Sequence, residues 1–288
     1  MYRLFCIAML LASCFATSAN ARDNSSATPR DGDKPSVSDP PLQESSRNRT
    51  AVRGKSDHGN EGGKVKGGSV RMAKEPKQAV LFQDDYEGRA EPGEKYFVPQ
   101  RMLDGWHVVD GVLIGDQVCD DHGSVIRTDV PFNDVEIEFD FQFNGGSRFN
   151  LVIDDDDEKS VHAGHLCRVS VSKKDLKISD DKTGGMNLEI RKRRQDPSLS
   201  VDAKATLEKR LAATQSNVPV QVQPGQWHTL RVRIKGDRMS ALLDGKLSAS
   251  LQSPGIDHAT KKELGFTVIG GKVSFDNLKV VKRSLSAN

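Results

Sequence analysis

The chain is short of the residues that would support several common assignments. Only four cysteines occur in 288 residues, at positions 6, 14, 119 and 167, and no Cys-x-x-Cys spacing is present, which excludes a cysteine zinc cluster. A formal net charge of +2 gives no electrostatic reason to invoke nucleic acid. The pronounced apolar run, Leu4 to Ala12, is too short to cross a bilayer. No Gly-x-Ser-x-Gly elbow and no Glu-x-Asp-x-x-Glu pattern occur, so neither a serine hydrolase nor a family 16 glucanase pattern is indicated. Residues 22–78 contain no Phe, Tyr, Trp or Ile. Such a stretch cannot bury enough apolar surface to offset its ordering entropy and is expected to be a disordered linker, either passive or a cell-surface tether.

What is present begins with a leader. Arg3, the run Leu4 to Ala12 and the small residues of Ala19-Asn20-Ala21 predict a signal peptide over residues 1–21 and an exported protein, periplasmic, at the cell surface or extracellular. Leu11-Ala12-Ser13-Cys14 also fits a lipobox, which would place a lipid anchor on Cys14. Ordinary cleavage leaves Cys119 and Cys167, which either pair or remain thiols.

The folded unit is expected over residues 79–284 as an all-β sandwich. Asp134 to Phe143 alternates strictly, with Val135, Ile137, Phe139, Phe141 and Phe143 on a core face and Glu136, Glu138, Asp140 and Gln142 on the other. That second face is either solvated or the floor of a cleft, in which case Glu136 and Glu138 would bind substrate. Trp227, Leu230, Val232 and Ile234 predict another half-buried strand, and Asp244-Gly245 a hairpin turn. Short strands at Ala79 to Phe82, Trp106 to Val109, Val112 to Gly115 and Ser124 to Arg127 read as a meander, and the first is expected beside Phe275 to Val281. Val201 to Ala213 is rich in helix formers, so Asn187 to about Asn217 reads as an insertion with one short helix. Its basic run Arg191 to Arg194 is a surface face or an anion site.

Gly225-Gln226-Trp227-His228, Leu243-Asp244-Gly245-Lys246 and Phe275-Asp276-Asn277 resemble the closing half of a concanavalin A-like, laminin G-type jelly roll. With Trp106 to Leu113 and the acidic strand Glu136 to Phe143, the succession over residues 79–283 resembles the 3-keto-disaccharide hydrolase, or 3-keto-glucoside lyase-hydratase, domain family. The resemblance implies a carbohydrate-active domain working on sugars already oxidised at C3. There the ketone acidifies the C2 proton, a base removes it, an enolate is stabilised, and the C1 substituent leaves. The resemblance also implies a Glu-x-Gln pair facing the cleft near residue 168, where this chain has Arg168-Val169-Ser170.

Candidates for that chemistry lie in one region. His162 or His165 would be the base, Arg168 or Lys182 would hold the enolate, and Asp180 or Asp181 would orient the His or ligate a metal. Asp154 to Glu158 suggests a divalent cation, calcium in particular, although the run lacks the spaced loop that wraps such an ion and also reads as a solvated hairpin tip. Tyr96, Phe97 and Trp106 are candidates for stacking on a sugar, with the core as the other place for Trp106. The competing function is a non-catalytic glycan-binding or cell-surface interaction module on the same fold.

Overall fold

The structure, a computed structural model, describes residues 79–283. The expected signal peptide, Cys6, Cys14 and the linker at 22–78 lie outside the described residues. Fifteen strands form two antiparallel sheets packed face to face. In chain order they are β1 (Val80–Asp84), β2 (Tyr96–Phe97), β3 (Trp106–Val109), β4 (Val112–Gly115), β5 (Ser124–Phe132), β6 (Val135–Asn144), β7 (Arg148–Asp154), β8 (His165–Ser172) and β9 (Asp175–Asp180). After helices α1 (Leu188–Arg194) and α2 (Val201–Ala213) come β10 (Gln215–Pro219), β11 (His228–Lys235), β12 (Arg238–Leu243), β13 (Lys246–Gln252), β14 (Lys261–Ile269) and β15 (Lys272–Lys282). One sheet has the order β13-β12-β11-β6-β15-β4-β3, with β1 also on β15; the other runs β10-β9-β8-β7-β14-β5-β2. This is the jelly-roll β-sandwich expected from the alternating strands.

The core is where period-two alternation places it. Val135, Ile137, Phe139, Phe141 and Phe143 of β6 are buried against Phe149, Leu151 and Ile153 of β7 and Leu264, Phe266 and Val268 of β14. Phe266 stacks on Phe275 with ring centroids 4.2 Å apart, and Phe139 meets Phe266 edge-on at 4.9 Å. Aromatic contacts of this kind join the two sheets and add to the area they bury. Trp106 is buried, and β1 lies beside β15 with Val80 opposite Val281.

Four expectations are refined. The insertion carries two helices, not one: Asn187 caps α1 through Glu189 and Ile190 amides, Ser200 caps α2 through Ala203 N, and Ile190, Leu207 and Leu211 form their own small cluster. The meander divides, because β3 and β4 stay in the first sheet while β5 crosses to the second. Trp227 precedes β11 and is 45% exposed, so the strand begins one residue later, at His228. Cys119 and Cys167 are both free thiols; Cys167 faces the core and Cys119 lies near the surface beside Arg101 O, so they do not pair.

Candidate functional site

The outer face of the second sheet carries a grid of polar side chains set by strand register. Cross-strand partners share a face. One row is therefore Phe97, Arg127, Gly265, Val152, Arg168 and Ser179. The next holds Thr267, Asn150, Ser170 and Lys177, and on the other side lie Glu263 and Asp154. Although this face points away from the core, Asn150, Asp154, Ser170, Ser172, Ser179 and Asp181 are all buried. It is a sunken polar floor.

His165 reaches this floor through a β-bulge. Regular pairing would set Leu166 opposite Asp154, but the register shifts after Ile153 and brings His165 there instead. Asp181 N and Lys182 N both donate to the bulged Leu166 O. Gly164, at φ 74°, precedes the bulge; a Cβ there would lie 2.6 Å from Asp155 O, so the tight approach requires glycine.

Asp154, 1% exposed, joins an imidazole and a guanidinium. His165 Nδ1 lies 2.7 Å from Asp154 Oδ1, and Arg127 Nε donates to Asp154 Oδ2 at 2.8 Å. Burial pushes the Asp154 carboxyl upward, but the His165 and Arg127 contacts outweigh it and hold the group below the ordinary carboxylate range. An ionised Asp154 only accepts, so Nδ1 of His165 donates and Nε2 is left for a ligand. Arg127 crosses β14 to make its contact at Gly265, where a Cβ would come within 2.8 Å of Arg127 Cγ.

Asp181 stands beside this pair in a contrasting environment. It is 1% exposed, and Arg168 Nη2 lies 3.2 Å from Oδ1, close enough for an ion pair but not aligned as a hydrogen bond. Both carboxyl oxygens lack a hydrogen-bond partner among the described residues. Burial pushes this carboxyl up to about 6, with Arg168 and His165 opposing and Asp154 and Asp180 adding to the rise. His162, whose ring centroid is 6.2 Å from that of His165, is lowered by burial and then by Arg191 of α1. The insertion thus flanks the floor.

The remaining candidates fall elsewhere. Asp180 faces the opposite way from Asp181 and is used structurally: it accepts from Thr183 N at 2.9 Å, Thr183 Oγ1 at 2.6 Å, Ser253 Oγ at 2.5 Å and Gly255 N at 2.9 Å. Lys182 binds His258 Nδ1 at 2.6 Å and Glu158 at 3.1 Å, in a neighbouring cluster. Glu136 and Glu138 lie on the outer face of the other sheet, across the core from His165. There Glu138 pairs with Arg231, and Glu136 takes Arg233 Nε at 2.6 Å. Of the aromatic candidates, Trp106 is in the core, Tyr96 donates its hydroxyl to Asp84 at 3.0 Å, and Phe97, 62% exposed, lies on the His165 face beside Arg127.

A divalent cation does not fit these residues. Asp155, Asp156 and Asp157 converge, but Lys262 Nζ sits among them, 3.2 Å from Asp155 Oδ1 and against Asp157, so an ammonium already supplies the positive charge. Beside Asp154 and Asp181 an ion would face the guanidinium groups of Arg127 and Arg168. Arg127, Glu263 and Lys177 are not among the sequence candidates, and Asp154 is there only as the first residue of the acidic run suggested for a cation. Their signal was parity: Arg148 to Asp154 alternates with the same period that places Arg168 and Ser170 together.

The fold and this polar floor define a jelly-roll β-sandwich domain. The 3-keto-alpha-glucoside-1,2-lyase-like domain family matches residues 56–281, and the chain belongs to that family; it is a carbohydrate-active domain. No curated protein matches it by sequence. Among solved structures it is similar to the laminarinase from Rhodothermus marinus (10% identity, 73% of this chain and 99% of that one, TM-score 0.51). It is likewise similar to a mutant of SCLam, a non-specific endo-beta-1,3(4)-glucanase from family GH16 (13% identity, 74% and 97%, TM-score 0.51). A sialidase gives a TM-score of 0.50 at 9% identity; the match covers 72% of this chain and 19% of the sialidase. At these identities the likeness is one of fold. Among the described residues no helix is long and apolar enough to cross a membrane.

Proposed function

We propose that the domain cleaves 3-keto-glycosides by elimination, on the outer face of the second sheet. The observation that carries this reading is the juxtaposition of an Asp154-oriented His165 with a buried, protonatable Asp181 beside Arg168. An oriented imidazole beside a carboxyl raised by burial is what paired base and acid work needs. In this scheme His165 Nε2 takes the C2 proton, and the C2–H electron pair forms the enolate, whose oxygen lies toward Arg168. Collapse of the enolate forms the C1–C2 double bond and breaks the bond to the C1 substituent, which leaves with the Asp181 proton. Water then adds at C1 of the enone. Asp154 is a positioning residue, acting through His165.

Glycan binding without turnover is the second reading. Arg168 and Ser170 favour it, because they occupy the floor where the family resemblance implies a Glu-x-Gln pair. Purified protein incubated with a 3-keto-glucoside in D2O, followed by NMR, distinguishes the two. Elimination predicts loss of the aglycone and deuterium at C2, with the unoxidised glucoside untouched. His165→Gln should slow both by at least about a hundredfold with an unchanged melting temperature. Saturable binding with neither exchange nor release would establish the binding module.

A further inference from the structure

At its far end the floor gathers three cations, Arg148, Arg168 and Lys177, against two carboxylates, Asp175 and Asp181. Lys177 shares a row with Ser170 and Asn150, Arg168 lies one row away on the adjacent strand, and Arg148 one row away in the other direction. Arg168 faces Asp181 at 3.2 Å, and Arg148 Nη2 lies 3.7 Å from Asp175 Oδ1. Asp175 Oδ2 also accepts from Ser172 Oγ at 2.6 Å. Lys177 has no carboxylate within ion-pair distance among the described residues, and Arg148 Nε is buried without a hydrogen-bond partner. Lys177 is half-buried; burial and then the charges of Arg168 and Arg148 hold its ammonium below the ordinary lysine range. Three cations crowded on a sunken surface repel one another, and an incoming anion relieves that repulsion.

We propose that this face takes an anionic saccharide, its carboxylate or sulfate seated between Arg148 and Lys177. The inference rests on the elimination reading and adds the substrate class. The row of Lys177 lies roughly 13 Å along the strands from that of Asp154 and His165. The acidic group therefore belongs to a sugar unit neighbouring the one that reacts. Ser179, in the row between the two ends, supplies a neutral hydrogen-bonding group that suits a hydroxyl of the intervening ring.

Calorimetric titration of the whole protein with three disaccharides of one linkage tests the proposal: one of glucose only, one ending in glucuronate and one carrying a 6-sulfate. An acidic ligand is expected to bind about tenfold or more tightly than the neutral one, with the preference shrinking as salt is raised. Whether the uronate or the sulfate shows the preference identifies the group. Lys177→Gln and Arg148→Gln should each remove most of that preference while leaving affinity for the neutral disaccharide in place. Equal affinity for neutral and acidic ligands, or a preference that both variants retain, would overturn the assignment. Turnover of a neutral 3-keto-glucoside without any acid preference would sink this inference and leave the elimination reading standing. Acid preference without turnover of any keto sugar would do the reverse.

Discussion

Replacing Asp181 by Asn tests the protonation state on which the acid role depends. The side chain is fully enclosed, and burial pushes its carboxyl from 3.8 up to about 6. Between those values the native state holds more proton than the unfolded chain, so the group's contribution to stability falls as pH rises through that window and stays lost above it. The displacement corresponds to ~3 kcal/mol. Asn has nearly the same shape and is neutral throughout. The unfolding free energy of Asp181→Asn relative to wild type is therefore expected to climb by ~3 kcal/mol between about pH 4 and pH 7. The unmatched Arg168 guanidinium adds a constant offset, because it does not titrate there. Urea titrations of both proteins across this range, read by tryptophan fluorescence, give the difference directly. A difference that is flat with pH would mean that Asp181 is ionised throughout, and the proton donor in the proposed elimination would be gone.

Phe139→Ala should cost about 3–5 kcal/mol through the cavity left among Phe141, Phe149, Phe266 and Phe275. Glu138→Ala, on the half-exposed face, should cost about 1 kcal/mol or less, and comparable losses in a denaturant titration would contradict the packing. Asp155 and Glu158 are both held at about 2; burial raises Asp155, but its bonds to Thr260 and Lys262 outweigh that, while the Ser160 bonds lead for Glu158. Their stabilisation is present in full above roughly pH 4 and lost as pH falls toward 2, so Asp155→Asn should flatten the acid-unfolding limb seen by circular dichroism; an unaltered limb would refute the assignment. Export should yield a mature chain starting at Arg22 by intact-mass analysis, and a retained Met1 would dismiss the leader.

The parity of β6 was readable because five apolar residues alternate with four polar ones over ten positions, and burial follows that alternation residue by residue. The site was readable only in part. His162, His165, Arg168 and Asp181 do share a face, but Asp180 and Lys182, adjacent to Asp181 in sequence, do not. A period of two turns Asp180 into the interior, and the chain then leaves the sheet so that Lys182 meets Glu158 and His258. His165 could not be placed by counting, since from Arg168 the regular period selects Leu166. Only the bulge, which depends on register with β7, reverses that choice. The acidic run misled in a related way. It suggests a solvated tip or a cation site, yet Asp154 and Asp155 are buried by contacts with Arg127, His165, Thr260 and Lys262, all distant in sequence or on another strand.

The two outer faces of the sandwich show why one is suited to chemistry and the other is not. On the first sheet Glu136 and Glu138 meet Arg231 and Arg233 directly across β6 and β11, a ladder of matched charges open to solvent. Matched, screened pairs of that kind contribute little individually. On the second sheet the pairs are sunken and unequal. Asp154 is held by both Arg127 and His165, Asp181 has one poorly aligned partner and no hydrogen bond, and Lys177 has no carboxylate partner within ion-pair distance among the described residues. Unbalanced buried charge is destabilising. It also sets a carboxyl that keeps its proton up to about pH 6 beside an oriented imidazole, with the unpaired Lys177 on the same face, which a ladder of satisfied pairs cannot do. If this imbalance exists for ligand binding, saturating acidic saccharide should raise the melting temperature of the wild type more than that of Lys177→Gln, because only a ligand that completes the charge pairing stabilises the native state by mass action.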